Sequence, residues 1–225
     1  MSQFRFDAII FDFDGVLVDS VDVKTRAFAA LYADYGPTVV AQVVAYHLAH
    51  GGVSRFEKFR HFHHAFLGRV LLQEEEEDLG ARFTSLVEEA VIAANWLPGA
   101  QEFLESHHVC IPLFVASGTP EKELNRILGR RKMSHYFLDT AGAPSHKGEI
   151  IKGFGLKYNI SPQRMLMVGD AMTDFIGANE AGTAFLGIVR DTPNPFPTGT
   201  QVLNDLSGLL SLITAKNIHR EDVAR

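Results

Sequence analysis

Five short apolar runs, residues 6–11, 109–116, 136–140, 164–169 and 183–189, each end in a polar or glycine-bearing loop. Successive side chains of a strand point to opposite faces, so a run apolar at nearly every position suits a strand buried on both sides. Helical patterning separates the runs over residues 120–129, 148–158 and 173–181, the first opening with Thr119 as a proposed cap and Pro120 at the first helical position. Strands alternating with helices predict an α/β fold, a parallel sheet in three layers.

That alternation has one gap. From residue 20 to residue 94 the pattern is helical throughout, which predicts a core made of residues 1–19 and 95–225 and an inserted all-helical domain over 20–94. Its first helix would place Val23, Ala27, Phe28, Leu31 and Tyr35 on one face before breaking at Gly36-Pro37, and a second would stop at Gly51-Gly52. Ser54 and Glu57 read as a capping box for a third helix, with Phe56, Phe59, His63 and Phe66 on one face. Glu74 to Asp78 reads as the acidic start of a fourth, because negative charge is favourable at a helix N-terminus. The two crossings, near residues 20 and 95, are predicted hinges. The segment from Asp191 to Thr200, with three prolines, reads as a surface loop.

Composition narrows the function classes. Asp and Glu number 27 against 21 Lys and Arg, a formal charge of −6, so no global basic surface offers itself to nucleic acid or anionic lipid. Apolar residues make up 46% of the chain, yet no uninterrupted run reaches the roughly 18 residues of a membrane span. The single cysteine, Cys110, falls inside the second apolar run and reads as a small core residue in a reducing compartment; a cytoplasmic protein is expected.

Ligands of parallel α/β sheets bind beyond the carboxyl ends of the strands, and the distinctive polar residues lie there. Asp12 and Asp14 flank the turn after the first strand; Ser117-Gly118-Thr119 follows the second; Lys147 lies in a loop after the third; Gly169-Asp170, with Asp174 four residues on, follows the fourth. Carboxylates without a histidine or thiol partner suit a hard cation such as Mg²⁺. A lysine and a helix start suit a phosphate.

The stretch Phe11-Asp12-Phe13-Asp14-Gly15-Val16-Leu17-Val18-Asp19-Ser20, then Ala116-Ser117-Gly118-Thr119, Lys147, and Val168-Gly169-Asp170 with Asp174, resembles the four motifs of the haloacid dehalogenase superfamily. The resemblance spans the whole chain, including a helical cap inserted after the first strand and a return to the core at Leu97-Pro98-Gly99. It implies a Rossmann-like core, Mg²⁺ and an aspartyl-phosphate mechanism. Asp12 would be the nucleophile and a metal ligand. Asp14 would be the general acid and base, with a raised pKa and its backbone carbonyl on the metal. Ser117, neighbouring backbone N–H groups at Gly118 and Thr119, and Lys147 would hold the phosphoryl group, and Asp170 would ligate Mg²⁺. Asp174 would either join the metal or orient Lys147.

Within that superfamily Asp14 argues against dehalogenases, whose halide leaving group needs no proton, and phosphonatases replace the same acid. The loop Gly52-Val53-Ser54-Arg55 is similar to that of β-phosphoglucomutase, where the arginine binds a distal phosphate. Three departures oppose a mutase: Lys24 stands at the position of its helper histidine, Gly51 at that of a cap lysine, and Gly169 at that of a metal-binding glutamate. The reading is therefore a phosphatase for a small phosphate ester, a sugar phosphate or phosphoglycolate, with the mutase and a silent scaffold as alternatives and with oligomeric state open. His50, Arg55 and Lys58 are the residues expected to read the substrate's remote end, against a plain solvated face for Arg55 and Lys58. His61, His63 and His64 are expected to serve packing or the surface rather than a metal.

Overall fold

The computed structural model describes residues 4–190 and 194–214. After β1 (Ala8–Phe11) the chain leaves the sheet for α1 (Val21–Leu31), α2 (Pro37–Ala49), α3 (Arg55–Ala65) and α4 (Gln73–Ala93). It returns through α5 (Ala100–His107), β2 (Leu113–Pro120), α6 (Glu121–Arg130), β3 (Asp139–Ala143), α7 (Lys147–Tyr158), β4 (Met165–Gly169) and α8 (Met172–Ala181). It finishes with β5 (Ala184–Ile188), β6 (Val202–Leu203) and α9 (Leu209–Ile213). The strands form one parallel sheet in the order β3-β2-β1-β4-β5-β6, with Phe11 opposite Val115 and Val168.

The apolar runs are continuous because both faces of the sheet are covered. Ile9, Phe11, Leu113, Val115, Leu166 and Val168 pack with Phe103, Leu104, Leu124 and Ile127 on one side. Ala8, Ile10, Phe114, Ala116 and Met167 pack with Ile150, Ile151 and Phe154 of α7 and Ala178 of α8 on the other. The inserted helices close around Phe28, whose ring lies 5.8, 5.7 and 4.5 Å from those of Phe59, Phe62 and Phe83. Burying each such ring contributes about 1.5–3 kcal/mol, and these rings belong to the same apolar cluster as Phe11, Val115 and Leu124. The outgoing and returning chains run side by side, with Asp19 N–H on the Asn95 carbonyl and Leu97 N–H on that of Leu17, both at 3.0 Å.

Several local expectations shift. β2 begins at Leu113 because residues 108–112 carry the chain from α5 to the sheet, which leaves Val109 79% exposed and Cys110 at the surface instead of in the core. Residues 134–136 form a 3₁₀ turn, so β3 starts three residues later than the apolar run. Pro120 precedes the helix instead of opening it, and Ser54 caps α3 with no side-chain hydrogen bond. Tyr35 leaves the apolar face of α1 for a 3₁₀ turn and is exposed. Glu74, Glu75 and Glu76 do occupy the first turn of α4. The eight-residue α5, the two-residue β6 and the five-residue α9 are too short to leave a clear periodic signature in the sequence. Residues 191–193 of the proline-bearing segment lie outside the described residues; 194–200 form neither helix nor strand. Among the described residues no helix is long and apolar enough to cross a membrane.

Candidate active site

β1 delivers Asp12 to the middle of the sheet edge, where its N–H donates to the Val168 carbonyl at 2.9 Å. The turn that follows needs a left-handed residue at Gly15, φ +79°, and a Cβ there would collide with the Asp170 carboxylate. Gly15 therefore lets the β1 and β4 loops close on each other.

Asp12 is 3% exposed; it accepts the Phe13 N–H at 2.7 Å and lies 2.9 Å from the Lys147 ammonium. Lys147 is the first residue of α7 and not a loop residue, and it is also paired with Asp174. Asp174, fully buried in the first turn of α8, accepts the Ala171 N–H at 3.0 Å through its second oxygen. Asp12, Asp170 and Asp174 each bring an oxygen within 4.8 Å of the others. Burial pushes the Asp12 carboxyl up to about 7 despite Lys147, with Asp174 and Asp14 adding to the rise. Burial, then the charges of Asp12 and Asp174, raise Asp170 as well. Burial disfavours the Lys147 ammonium, but Asp12 and Asp174 more than offset it and hold the lysine charged. Asp12, Asp170 and Asp174 thus gather around the Lys147 ammonium, while Asp14 is paired with Lys24. An oxygen-only donor set with surplus negative charge fits a hard divalent cation.

Ser117, which with Gly118 and Thr119 lies inside β2 and not after it, is 1% exposed and accepts the Thr119 N–H at 3.1 Å. Asp14 accepts hydrogen bonds from Ser20, Lys24 and the Thr119 hydroxyl, the last at 3.2 Å. Burial alone would raise the Asp14 carboxyl; Lys24 and the two hydroxyls outweigh it, so its pKa lies below the ordinary value, opposite to the expected rise. Thr119 engages both its N–H and its hydroxyl inside the protein, which makes it a support for Ser117 and Asp14. Gly118 lies against the cap loop, where a Cβ would collide with the Gly52 carbonyl oxygen.

The three expected cap readers do not converge here. Arg55 is 6% exposed, forks onto Glu123 of α6 with one bond of 3.0 Å, and stacks 4.4 Å over the Phe83 ring. Lys58, 2% exposed, lies 2.9 Å from His47 Nδ1. Neither forms a solvated face. His50 is exposed and stacked 3.7 Å from the Tyr46 ring, with His61 at 3.9 Å on the same ring. His63 is buried in the cap beside Tyr32. A cavity of about 390 Å³ opens instead between the loop holding Gly52, Val53 and Ser54 and the core residues Ser117, Gly118 and Lys147. Lys24 stood out in the sequence only as a departure from a mutase. Glu123 did carry a signal, a lone acid on the apolar stripe with Leu124, Ile127 and Leu128, which requires a buried cation.

Burial lowers the Lys58 pKa from 10.5 to about 7, with Lys24 adding to the fall. Between those values the unfolded chain binds more protons than the folded one, so this lysine's destabilisation is full below pH 7 and fades as pH rises toward 10.5. Urea unfolding at pH 7, 8 and 9 is expected to show Lys58→Met more stable than wild type, with a gap that shrinks by up to about 1.4 kcal/mol per pH unit. A gap constant with pH would contradict a neutralised Lys58.

The sequence profile of the haloacid dehalogenase-like hydrolases matches residues 6–182. A phosphoglycolate phosphatase of Vibrio parahaemolyticus is 27% identical over 95% of this chain and 98% of its own, and one from Haemophilus influenzae 25% identical over 93% and 99%. Among solved structures, β-phosphoglucomutase from Clostridium difficile superposes with a TM-score of 0.74 at 20% identity, covering 91% of this chain and 93% of its own. CbbY from Rhodobacter sphaeroides, in complex with xylulose-(1,5)bisphosphate, gives 0.71 at 18%, covering 93% and 100%. These two share the fold. With the profile match spanning most of its length, the chain belongs to the haloacid dehalogenase-like hydrolase family.

Proposed function

We propose that this protein is a cytoplasmic Mg²⁺-dependent phosphatase that hydrolyses a small phosphorylated metabolite through an aspartyl-phosphate on Asp12. The observation that carries the reading is the meeting of Asp12, Lys147, Asp170 and Asp174 beside a cavity walled by Ser117 and Gly118. The phosphoglycolate phosphatases among its relatives support the same class.

Asp12, Asp170 and the Asp14 carbonyl would hold Mg²⁺, with Asp174 at its edge; the ion, when bound, supplies positive charge to the phosphoryl oxygens. Asp12 attacks phosphorus with one oxygen, splitting the transfer into two easier steps. Lys147 and the Ser117 hydroxyl, with the Gly118 N–H, bind the phosphoryl oxygens and stabilise the charge that gathers on them. Both Asp174 oxygens are engaged by Lys147 and the Ala171 N–H, which supports an orienting role. Asp14 gives a proton to the leaving alkoxide and then takes one from the attacking water. Lys24, Ser20 and Thr119 position it; held ionised between them, it must first collect that proton as substrate enters. With a core of residues 1–19 and 95–225 and a cap of 20–94, this site lies at the seam between the two. A mutase is disfavoured by packing, since a side chain at Gly169 would occupy the space of Asp174.

The direct test is phosphate release from p-nitrophenyl phosphate and a sugar-phosphate panel, with Mg²⁺ or EDTA. Turnover that EDTA abolishes is expected; inertness across the panel would overturn the reading. Because Gly118 meets the cap loop backbone, Gly118→Ala should hold the loop off the site. A fall in kcat/KM of about 10²-fold, with an unchanged circular dichroism spectrum, is the expected result; wild-type kinetics would show that the loop contact is dispensable.

A further inference from the structure

The cavity that would receive the leaving alcohol is lined by carboxylates. Glu57, Glu149 and Glu180, all solvent-exposed, reach it from α3, α7 and α8, Glu149 also accepting the His146 N–H at 3.3 Å, alongside the hydroxyls of Ser54, Ser145 and Thr173, the last donating to the Gly51 carbonyl at 3.1 Å. Among the described residues none of the three glutamates makes an ion pair. Among the described residues Lys24 is engaged by Asp14, Arg55 by Glu123, Lys58 by His47, and Lys147, the one ammonium on the cavity wall, by Asp12 and Asp174, while the imidazole of His146 also lines the wall. Drawing Arg55 out toward a second anion would strand a Glu123 carboxylate that is 4% exposed.

The amino ends of α3 and α7 also open here, and a helix N-terminus offers about half an elementary positive charge. Glu57 and Glu149 stand in the first turns of those same helices. A full negative charge against half a positive one leaves each end net negative. Acceptors therefore dominate the walls, and a carboxylate or second phosphate on the leaving group would meet like charge.

From this wall we infer that the substrate is a phosphomonoester whose alcohol carries hydroxyl or amino donors and no second anionic group. The inference deepens the phosphatase reading and rests on it for the placement of the phosphoryl group. It departs from the acid named for the relatives.

Three esters of nearly equal size isolate the charge: 2-phosphoglycolate, 2-hydroxyethyl phosphate and O-phosphoethanolamine. The neutral and cationic esters are expected to exceed phosphoglycolate in kcat/KM by about tenfold or more, the scale of trading a like-charge contact for a hydrogen bond. Glu57→Gln with Glu180→Gln should narrow that ratio by raising phosphoglycolate. Calorimetric titration of the three esters into the Asp12→Asn protein with Mg²⁺ should return the same order without turnover. Phosphoglycolate equal or preferred, a ratio unmoved by the double substitution, or no binding of any ester would overturn the inference. The expected binding order in a protein that turns over none of them would instead overturn the phosphatase reading and leave the preference standing.

Discussion

Asp12→Asn is expected to lower phosphate release by about 10⁴-fold or more, because the amide neither attacks phosphorus nor carries charge to a cation, and losing a nucleophile removes a whole pathway. The substitution is nearly isosteric in a site where Asp12 is 3% exposed, so the fold should survive it. A second effect runs the other way. Asp12 is one of three carboxylates gathered around Lys147, and its own pKa of about 7 reflects how poorly the buried charge is tolerated there. The folded state therefore holds a proton on Asp12 that the unfolded chain has lost above pH 3.8, and metal-free stability contributed by this group falls as pH climbs from there through 7. In EDTA at neutral pH the variant should melt above wild type, and wild type should gain more from added Mg²⁺. For a chain of this size each kcal/mol corresponds to about 2–4 °C in Tm. Retained activity in the variant would remove Asp12 from the mechanism; an identical Mg²⁺ response in both proteins would remove it from the metal site.

The second large effect concerns the seam between cap and core. Arg55 and Glu123 form a pair 5% and 4% exposed, with Thr84 of α4 also donating to Glu123 at 2.7 Å. Breaking such a pair from one side leaves an uncompensated buried charge, at a cost of about 3–5 kcal/mol. Arg55→Met is therefore expected to lower Tm by roughly 6–20 °C, while Arg55→Met with Glu123→Leu should recover most of the loss, since a well-packed apolar pair at such a site is close to neutral. Denaturant unfolding of both variants decides it. A single substitution costing under about 1 kcal/mol would mean that water reaches the pair and that the seam is held by other contacts. Arg126–Glu88 and Arg130–Glu89 cross from α6 to α4, but both arginines are half exposed, so they are weaker candidates for holding it.

The residues behind these two effects differ in how far the amino-acid sequence exposes them. Asp12, Ser117, Lys147, Asp170 and Asp174 stand out in the sequence alone, because each follows an apolar run, and such runs mark strands buried on both faces. A parallel sheet brings the carboxyl ends of β1, β2 and β4 to one edge, so chain order alone gathers those residues. Arg55 is visible too, but with the wrong partner. In the sequence it belongs to a loop resembling one that binds a distal phosphate; in the fold it is tied to Glu123, 68 residues away. Lys24 shows the same limit, since its bond to Asp14 depends on how α1 is angled after the turn at Gly15.

Cys110 is misread for a related reason. An apolar run shows that burial is available but does not mark where a strand begins, and α5, only eight residues long, delivers the chain to Leu113 instead of Val109. Backbone periodicity and strand order are short-range or topological, so they suffice for the α/β architecture, the helical insertion and the set of residues gathered at the sheet edge. Which charges neutralise one another is a matter of packing. A buried ion pair depends on distances of a few ångströms between elements far apart in the chain, and those distances are set by how cap and core meet.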